Sequence, residues 1–135
     1  MTMHIIDSAP RPLGASDILV SPLAWGMWRL GGSVAAVREC IDAALEAGIT
    51  LFDTADIYGF GSPIGFGGAE ALFGRALAED RAVRDRMVIA TKGGITPQRP
   101  YDSSAPYLAA ACEASLSRIG VDVIDLYQIH RRDFL

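Results

Sequence analysis

Short, nearly continuous apolar runs alternate along this chain with stretches whose apolar residues recur every three or four positions. Ile18-Leu19-Val20 and Leu23-Ala24-Trp25-Gly26 form a first strand region. After Ser33, a good N-cap, Val34, Val37, Ile41, Ala44 and Leu45 recur at helical spacing until Gly48, which predicts a helix between those two residues. Ile49-Thr50-Leu51-Phe52 is a second strand that runs straight into Asp53. A glycine-rich loop follows, then a helix from about Ala69 to Ala78 with Leu72, Phe73, Ala76 and Leu77 on one side. Met87 to Thr91 is the third strand. Pro106 near a helix start introduces Leu108, Ala111, Cys112, Leu116 and Ile119, closed by Gly120. Val123 to Ile129 is the fourth strand and leads to His130.

The order β-α-β-α-β-α-β with strands apolar on both faces predicts α/β architecture with a parallel sheet covered by helices. An open doubly wound sheet and a (β/α)8 barrel both begin this way, and the polar residues favour the barrel. Asp53, Lys92 and His130 follow three consecutive strands, each about 40 residues from the last. Residues one βα unit apart at strand carboxyl ends converge on one barrel rim, where such enzymes place their chemistry. In an open sheet they would stand in a row.

Composition narrows the function classes. Hydrophobic content of 50%, charged content of 21% and 135 residues suit a single globular domain. A net charge of −4 argues against nucleic acid or an anionic membrane as partner, and Arg131-Arg132 is a pair rather than a patch. The segment Met1 to Asp7 has neither a basic region nor a long apolar one, so no signal peptide is expected, and no run reaches membrane-span length. Cys40 and Cys112 lie in helical patterns where buried free thiols are common, and with His4 and His130 they give no zinc spacing. A cytoplasmic setting is expected. Lys92 is the single lysine, the other 11 basic residues being arginine. Lysine can be desolvated and its pKa moved, whereas arginine stays charged.

Several segments together resemble the aldo-keto reductase family. Phe52-Asp53-Thr54-Ala55 followed by Tyr58-Gly59 looks like its second-strand signature, and Ala90-Thr91-Lys92 like its third-strand lysine. Ser115 through His130 is similar to the segment that runs into its fourth-strand histidine. The resemblance spans roughly residues 18 to 132. Residues 1–17, with two prolines, a glycine and several polar residues, read as a lead-in or short hairpin, and the resemblance implies 18–135 as the amino-terminal half of a (β/α)8 TIM barrel. A whole barrel takes about 250 residues, and its phosphate site usually lies after strands seven and eight.

The resemblance also implies a catalytic tetrad of Asp53, Tyr58, Lys92 and His130. Carbonyl reduction by hydride transfer leaves charge growing on oxygen, so a nearby acid must deliver a proton. Tyr58 is that expected donor, with Lys92 favouring its phenolate, Asp53 holding Lys92 by an ion pair, and His130 hydrogen-bonding the substrate carbonyl. The implied activity is NAD(P)H-dependent reduction of aldehydes or ketones to alcohols, with NADPH the family's usual cofactor and NADH admitted. Gly26, Met27 and Asp53 are expected beside the cofactor, with Trp28, Tyr58 and His130 lining the pocket for a small carbonyl substrate. The loop Gly59 to Gly68 fits no G-x-G-x-x-G register and reads as a substrate-side loop, with Phe60 and Phe66 as apolar contacts. Glu70 is expected to favour the dipole of the second helix. Other readings are a non-catalytic binding relative, a half-barrel that self-associates through its open edges, and a Schiff-base lysine at position 92.

Overall fold

The computed structural model describes residues 8–98 and 100–131. The readings made on Met1 to Asp7 and on Arg132 lie outside them. A two-stranded antiparallel hairpin, β1 (Arg11–Pro12) and β2 (Leu19–Val20), comes first. Then β3 (Ala24–Gly26), α1 (Val34–Glu46), β4 (Leu51–Asp53), α2 (Gly68–Ala78), a 3-10 helix (Arg81–Arg86), β5 (Val88–Gly93), α3 (Ala105–Ile119) and β6 (Leu126–Ile129) follow in turn. The sheet is four-stranded and parallel, in the order β3-β4-β5-β6.

The helix ends follow local chemistry. The Ser33 hydroxyl accepts from the Ala36 amide at the start of α1, and the Ser104 hydroxyl accepts from the Tyr107 amide at the start of α3. Gly48 (φ 79°) and Gly120 (φ 73°) turn the chain in the left-handed region just beyond α1 and α3.

Apolar burial lies between the sheet and its helices. Phe52 stacks on Phe73 of α2 with ring centroids 6.1 Å apart, and Trp25 meets Phe52 edge-on. Met27, Val37, Ile41, Leu72, Ile89 and Ile119 complete that layer, each at most 1% exposed. On β5, Ile89, Thr91 and Gly93 alternate with Val88, Ala90 and Lys92, so the two sets occupy opposite faces.

Three elements differ from the pattern reading. Leu19–Val20 pairs with the hairpin rather than beginning the parallel sheet. The Ser21 hydroxyl accepts from the Thr50 and Leu51 amides and donates to the Leu23 carbonyl, and Pro22 has no N–H, so the strand is broken there. The fourth strand begins at Leu126, not Val123, because the Asp125 carboxylate accepts from the Ile89 amide at 2.7 Å and pairs with Arg84 at 2.7 Å. The 3-10 helix, capped by Asp80, buries only Val83 and so carries no readable periodicity. Cys40 is exposed rather than buried, and Cys112 is half-buried.

Candidate active site

The sheet register sets three polar side chains on one face. Asp53 is paired with Ala90, and Lys92 with Gln128. Two residues beyond each partner stand Lys92 and His130, so Asp53, Lys92 and His130 share the face turned away from the helices. The His130 amide donates to the Gly93 carbonyl at 2.8 Å, carrying the pairing past the end of β6.

Tyr58 arrives from the turn after β4. That turn is tied to β5 by the Thr54 amide on the Ala90 carbonyl (2.9 Å) and the Asp56 amide on the Lys92 carbonyl (3.0 Å). The start of α2 closes it from the other side, with the Ala69 amide donating to the Tyr58 carbonyl at 3.2 Å. Gly59 (φ 100°) ends the turn, and a Cβ there would collide with the Gly65 carbonyl and the Ile64 side chain.

Lys92 is the hub. Its ammonium lies 2.7 Å from Asp53 Oδ2, 2.7 Å from the Thr54 carbonyl oxygen and 3.4 Å from Tyr58 Oη. Three acceptors match its three N–H donors. An ammonium so engaged has no free lone pair, which argues against the Schiff-base reading. The His130 ring meets the Tyr58 ring edge-on, centroids 5.6 Å apart. Burial lowers the His130 pKa, helped by Lys92 and Arg131 and opposed by Asp53. The imidazole is therefore neutral at pH 7. Its Nδ1 is buried and meets no hydrogen-bond partner among the described residues, leaving Nε2 as the natural N–H donor.

Tyr58 and His130 open onto a cavity of about 630 Å³, lined also by Trp28, Leu30, Ile57, Phe60 and Ile95. Trp28 is 67% exposed, with the Arg29 guanidinium 5.1 Å over its ring. Phe60 lines the cavity, whereas Phe66 does not; the Arg118 guanidinium stands 5.8 Å over its ring. Another hollow, about 400 Å³ between Gly74, Arg84 and Asp125, holds none of the tetrad.

The residues expected beside a cofactor divide. Gly26 ends β3 next to Asp53, and a Cβ added to it would meet nothing within 4 Å, so that part of the rim is open. Met27 is 1% exposed in the helix-side core, so only its main chain could face a cofactor. Its amide already donates to the Asp53 carbonyl at 2.9 Å.

Pattern reading missed the support behind β5. Glu70 is fully buried, accepting from Thr91 Oγ1 at 2.6 Å and from Arg118 Nε at 2.6 Å. It stands in the first turn of α2, as expected of a dipole-favouring acid, and in addition clamps α2, β5 and α3 together. No sequence signal links positions so far apart. The carbonyl of Thr54 as a lysine partner was equally hidden, since it depends on the turn's geometry.

A comparison with protein families matches residues 22–135 to the aldo/keto reductase family. The chain is 59% identical over 128 residues to a 6-dehydroglucose reductase of Novosphingobium aromaticivorans, covering 93% of this chain and 42% of that one. It is 39% identical over 130 residues to an L-glyceraldehyde 3-phosphate reductase of Escherichia coli, covering 91% of this chain and 36% of that one. A solved aldo-keto reductase, AKR11C1 of Bacillus halodurans in its holo form, superposes with a TM-score of 0.74 at 36% identity, over 91% of this chain and 40% of that one. The chain thus spans well under half the length of these relatives, matching part of their TIM barrel. With four parallel strands in barrel order and an Asp53–Lys92 pair at their rim, the chain belongs to the aldo/keto reductase family.

Proposed function

We propose that this chain supplies the catalytic side of a carbonyl reductase that converts small aldehydes or ketones to alcohols. The observation that carries this reading is the Lys92 ammonium held between Asp53 and Tyr58 beside His130. Tyr58 is the proton donor. As its proton passes to the substrate oxygen, the negative charge left on the phenolate lies 3.4 Å from the Lys92 ammonium. Asp53 and the Thr54 carbonyl hold that ammonium in place and aim it at the phenol. His130, neutral at pH 7, donates from Nε2 to the carbonyl oxygen and orients it in the cavity. Solvent then returns a proton to Tyr58.

A reduced nicotinamide cofactor, when bound, supplies the hydride that goes to the carbonyl carbon. The residues present fit its ring end: the rim at Gly26 is open, the Asp53 carboxylate is 28% exposed, and the Trp28 indole stands at the same mouth. We assign the cofactor as NADPH or NADH. One relative, from Escherichia coli, is named an NADH-specific methylglyoxal reductase. The sugar-derived aldehyde in the name of the Novosphingobium relative makes 6-dehydroglucose the first substrate to try. Among the described residues no helix is long and apolar enough to cross a membrane. A cytoplasmic setting and a small-molecule partner are part of this proposal.

The test joins residues 1–135 to the remaining part of the Novosphingobium relative and follows oxidation of NADPH and NADH with 6-dehydroglucose, methylglyoxal and glyceraldehyde 3-phosphate. Turnover of at least one aldehyde, abolished by Asp53→Asn combined with Lys92→Met, is expected. A folded protein with no turnover on any of them, with either cofactor, would overturn the assignment. Self-association of residues 1–135 through the edges of β3 and β6 is a second reading, favoured by exposed Leu19, Leu23 and Ile129. Light scattering decides it, and a monomer would dismiss it.

A further inference from the structure

Asp56 and Tyr127 both carry buried polar atoms near the site that find no hydrogen-bond partner among the described residues. Asp56 is 1% exposed, and neither of its carboxylate oxygens has a hydrogen-bond partner of good geometry among the described residues, the Ile57 amide giving only weak relief. The Tyr127 hydroxyl is also buried and has no hydrogen-bond partner among the described residues, Asp56 included. Both groups converge over Gly93. Tyr127 Oη and Asp56 Oδ2 each lie within 3.3 Å of the position a Cβ on residue 93 would take. The missing side chain of glycine makes their approach feasible. A buried hydroxyl and a buried carboxyl that share one space are costly apart and favourable together.

We propose that the Asp56 carboxyl and the Tyr127 hydroxyl, neighbours over Gly93 that are not bonded in this structure, close into one hydrogen-bonded pair in solution, and that Asp56 is a positioning residue for Tyr58 and His130. The connectivity gives the pair this reach. Asp56 stands two residues before Tyr58, and Tyr127 lies on β6, three residues before His130. The Asp56 amide is bonded to the Lys92 carbonyl, and its own carbonyl accepts from the Gly67 amide at 2.6 Å. The pair therefore joins the Tyr58 turn to the strand that delivers His130, on the side of β5 opposite the Lys92 ammonium. This inference rests on the reductase reading for its role, though not for its existence.

Asp56 enters the pair as an acid. Burial and the neighbouring Glu70 carboxylate push its pKa up to about 7, while Arg118 and the Ile57 amide pull it back. Tyr127 is raised as well, first by burial and then by Asp56. The other titratable groups facing the pair are Tyr107, Cys112 and Arg118 of α3 and Glu70 of α2. A protonated carboxyl can donate to one oxygen and accept from another, so one proton each suffices for the pair.

Thermal unfolding of wild type, Asp56→Ala, Tyr127→Phe and the double variant measures the pair without any activity. Each single variant should lower Tm, and the double should fall no further than the worse single. Additive losses would overturn the pair. Asp56→Asn, which mimics the neutral acid, should restore Tm at pH 7, and failure to do so counts against it equally. If a single variant does not fold, the Tyr127 hydroxyl proton in wild type still decides: it should exchange slowly with solvent and show scalar coupling across a hydrogen bond to the Asp56 carboxyl, and a rapidly exchanging, uncoupled hydroxyl contradicts the pairing. For the positioning role, Asp56→Ala in the active protein should lower kcat on the order of tenfold to a hundredfold with KM little changed, and Asp56→Asn should recover it. An unchanged kcat would remove the positioning role. A wild type without reductase activity would count against the functional assignment alone, because the Tm cycle would stand.

Discussion

The two faces of β5 carry charge in opposite ways. On the rim side, Lys92 and Asp53 keep partial contact with solvent, at 14% and 28% side-chain exposure, and form a short pair aimed at Tyr58. On the helix side, Thr91 and Gly93 face Glu70 and Asp56, both sealed from water, and the buried hydroxyl of the half-buried Tyr127. The rim side has a cation for its carboxylate and a cavity beside it. The helix side has two carboxyls, Glu70 and Asp56, and one arginine, Arg118, which is bonded to Glu70. The physical lesson is that adjacent residues on one strand can serve chemistry and rigidity separately. Alternation of side chains across a strand keeps the two electrostatic environments apart.

Substitutions on each side should break this contrast in different currencies. Glu70→Leu leaves Arg118 and Thr91 without their shared acceptor, and should lower stability by about 3–5 kcal/mol in denaturant unfolding. A loss below about 1 kcal/mol would show that the clamp contributes little. Lys92→Met should do the reverse. It should reduce carbonyl turnover on the order of 10²–10³-fold, with stability changed by no more than about 1 kcal/mol because the pair is partly solvated. A large unfolding effect with near-normal turnover would invert the assignment of the two faces.

Asp56 gives the pH signature of the helix side. Its pKa stands at about 7 in the fold, above the ordinary carboxylate value. Between those values the folded chain holds a proton that the unfolded chain has released, so stability falls as pH rises through that window and levels off above about 7. The fall should be on the order of 4 kcal/mol, and Asp56→Asn should flatten it. A slope unchanged in the variant would assign the proton elsewhere. The smallest effect is remote from both faces: Ser33→Ala removes the α1 cap and should cost about 1 kcal/mol in thermal unfolding, leaving turnover alone.

Much of the rim side was legible in the sequence. Asp53, Lys92 and His130 each follow an apolar run, and the βα repeat brings such positions to one rim whatever the intervening residues are. Tyr58 needed the family motif, because a tyrosine in a turn has no periodic signal. The helix side was not legible. Glu70 sits at a helix start, where a solvated acid is the common case, and only the packing of α2 against α3 brings Arg118 to it. Asp56 looks like an ordinary turn residue until Gly93 and Tyr127 are set over it. Strand limits moved for the same reason: at Asp125 and Ser21 a side chain takes main-chain hydrogen bonds that a pattern of apolar residues cannot reveal.

Hydride transfer itself is the most direct test of the central claim. In the completed barrel, a cofactor deuterated at the transferable position of its nicotinamide should place deuterium on the carbinol carbon of the product. Tyr58→Phe should slow that transfer on the order of 10²–10⁴-fold while the fold persists. Transfer by Tyr58→Phe at a near wild-type rate would contradict the proton-donor site built around Lys92.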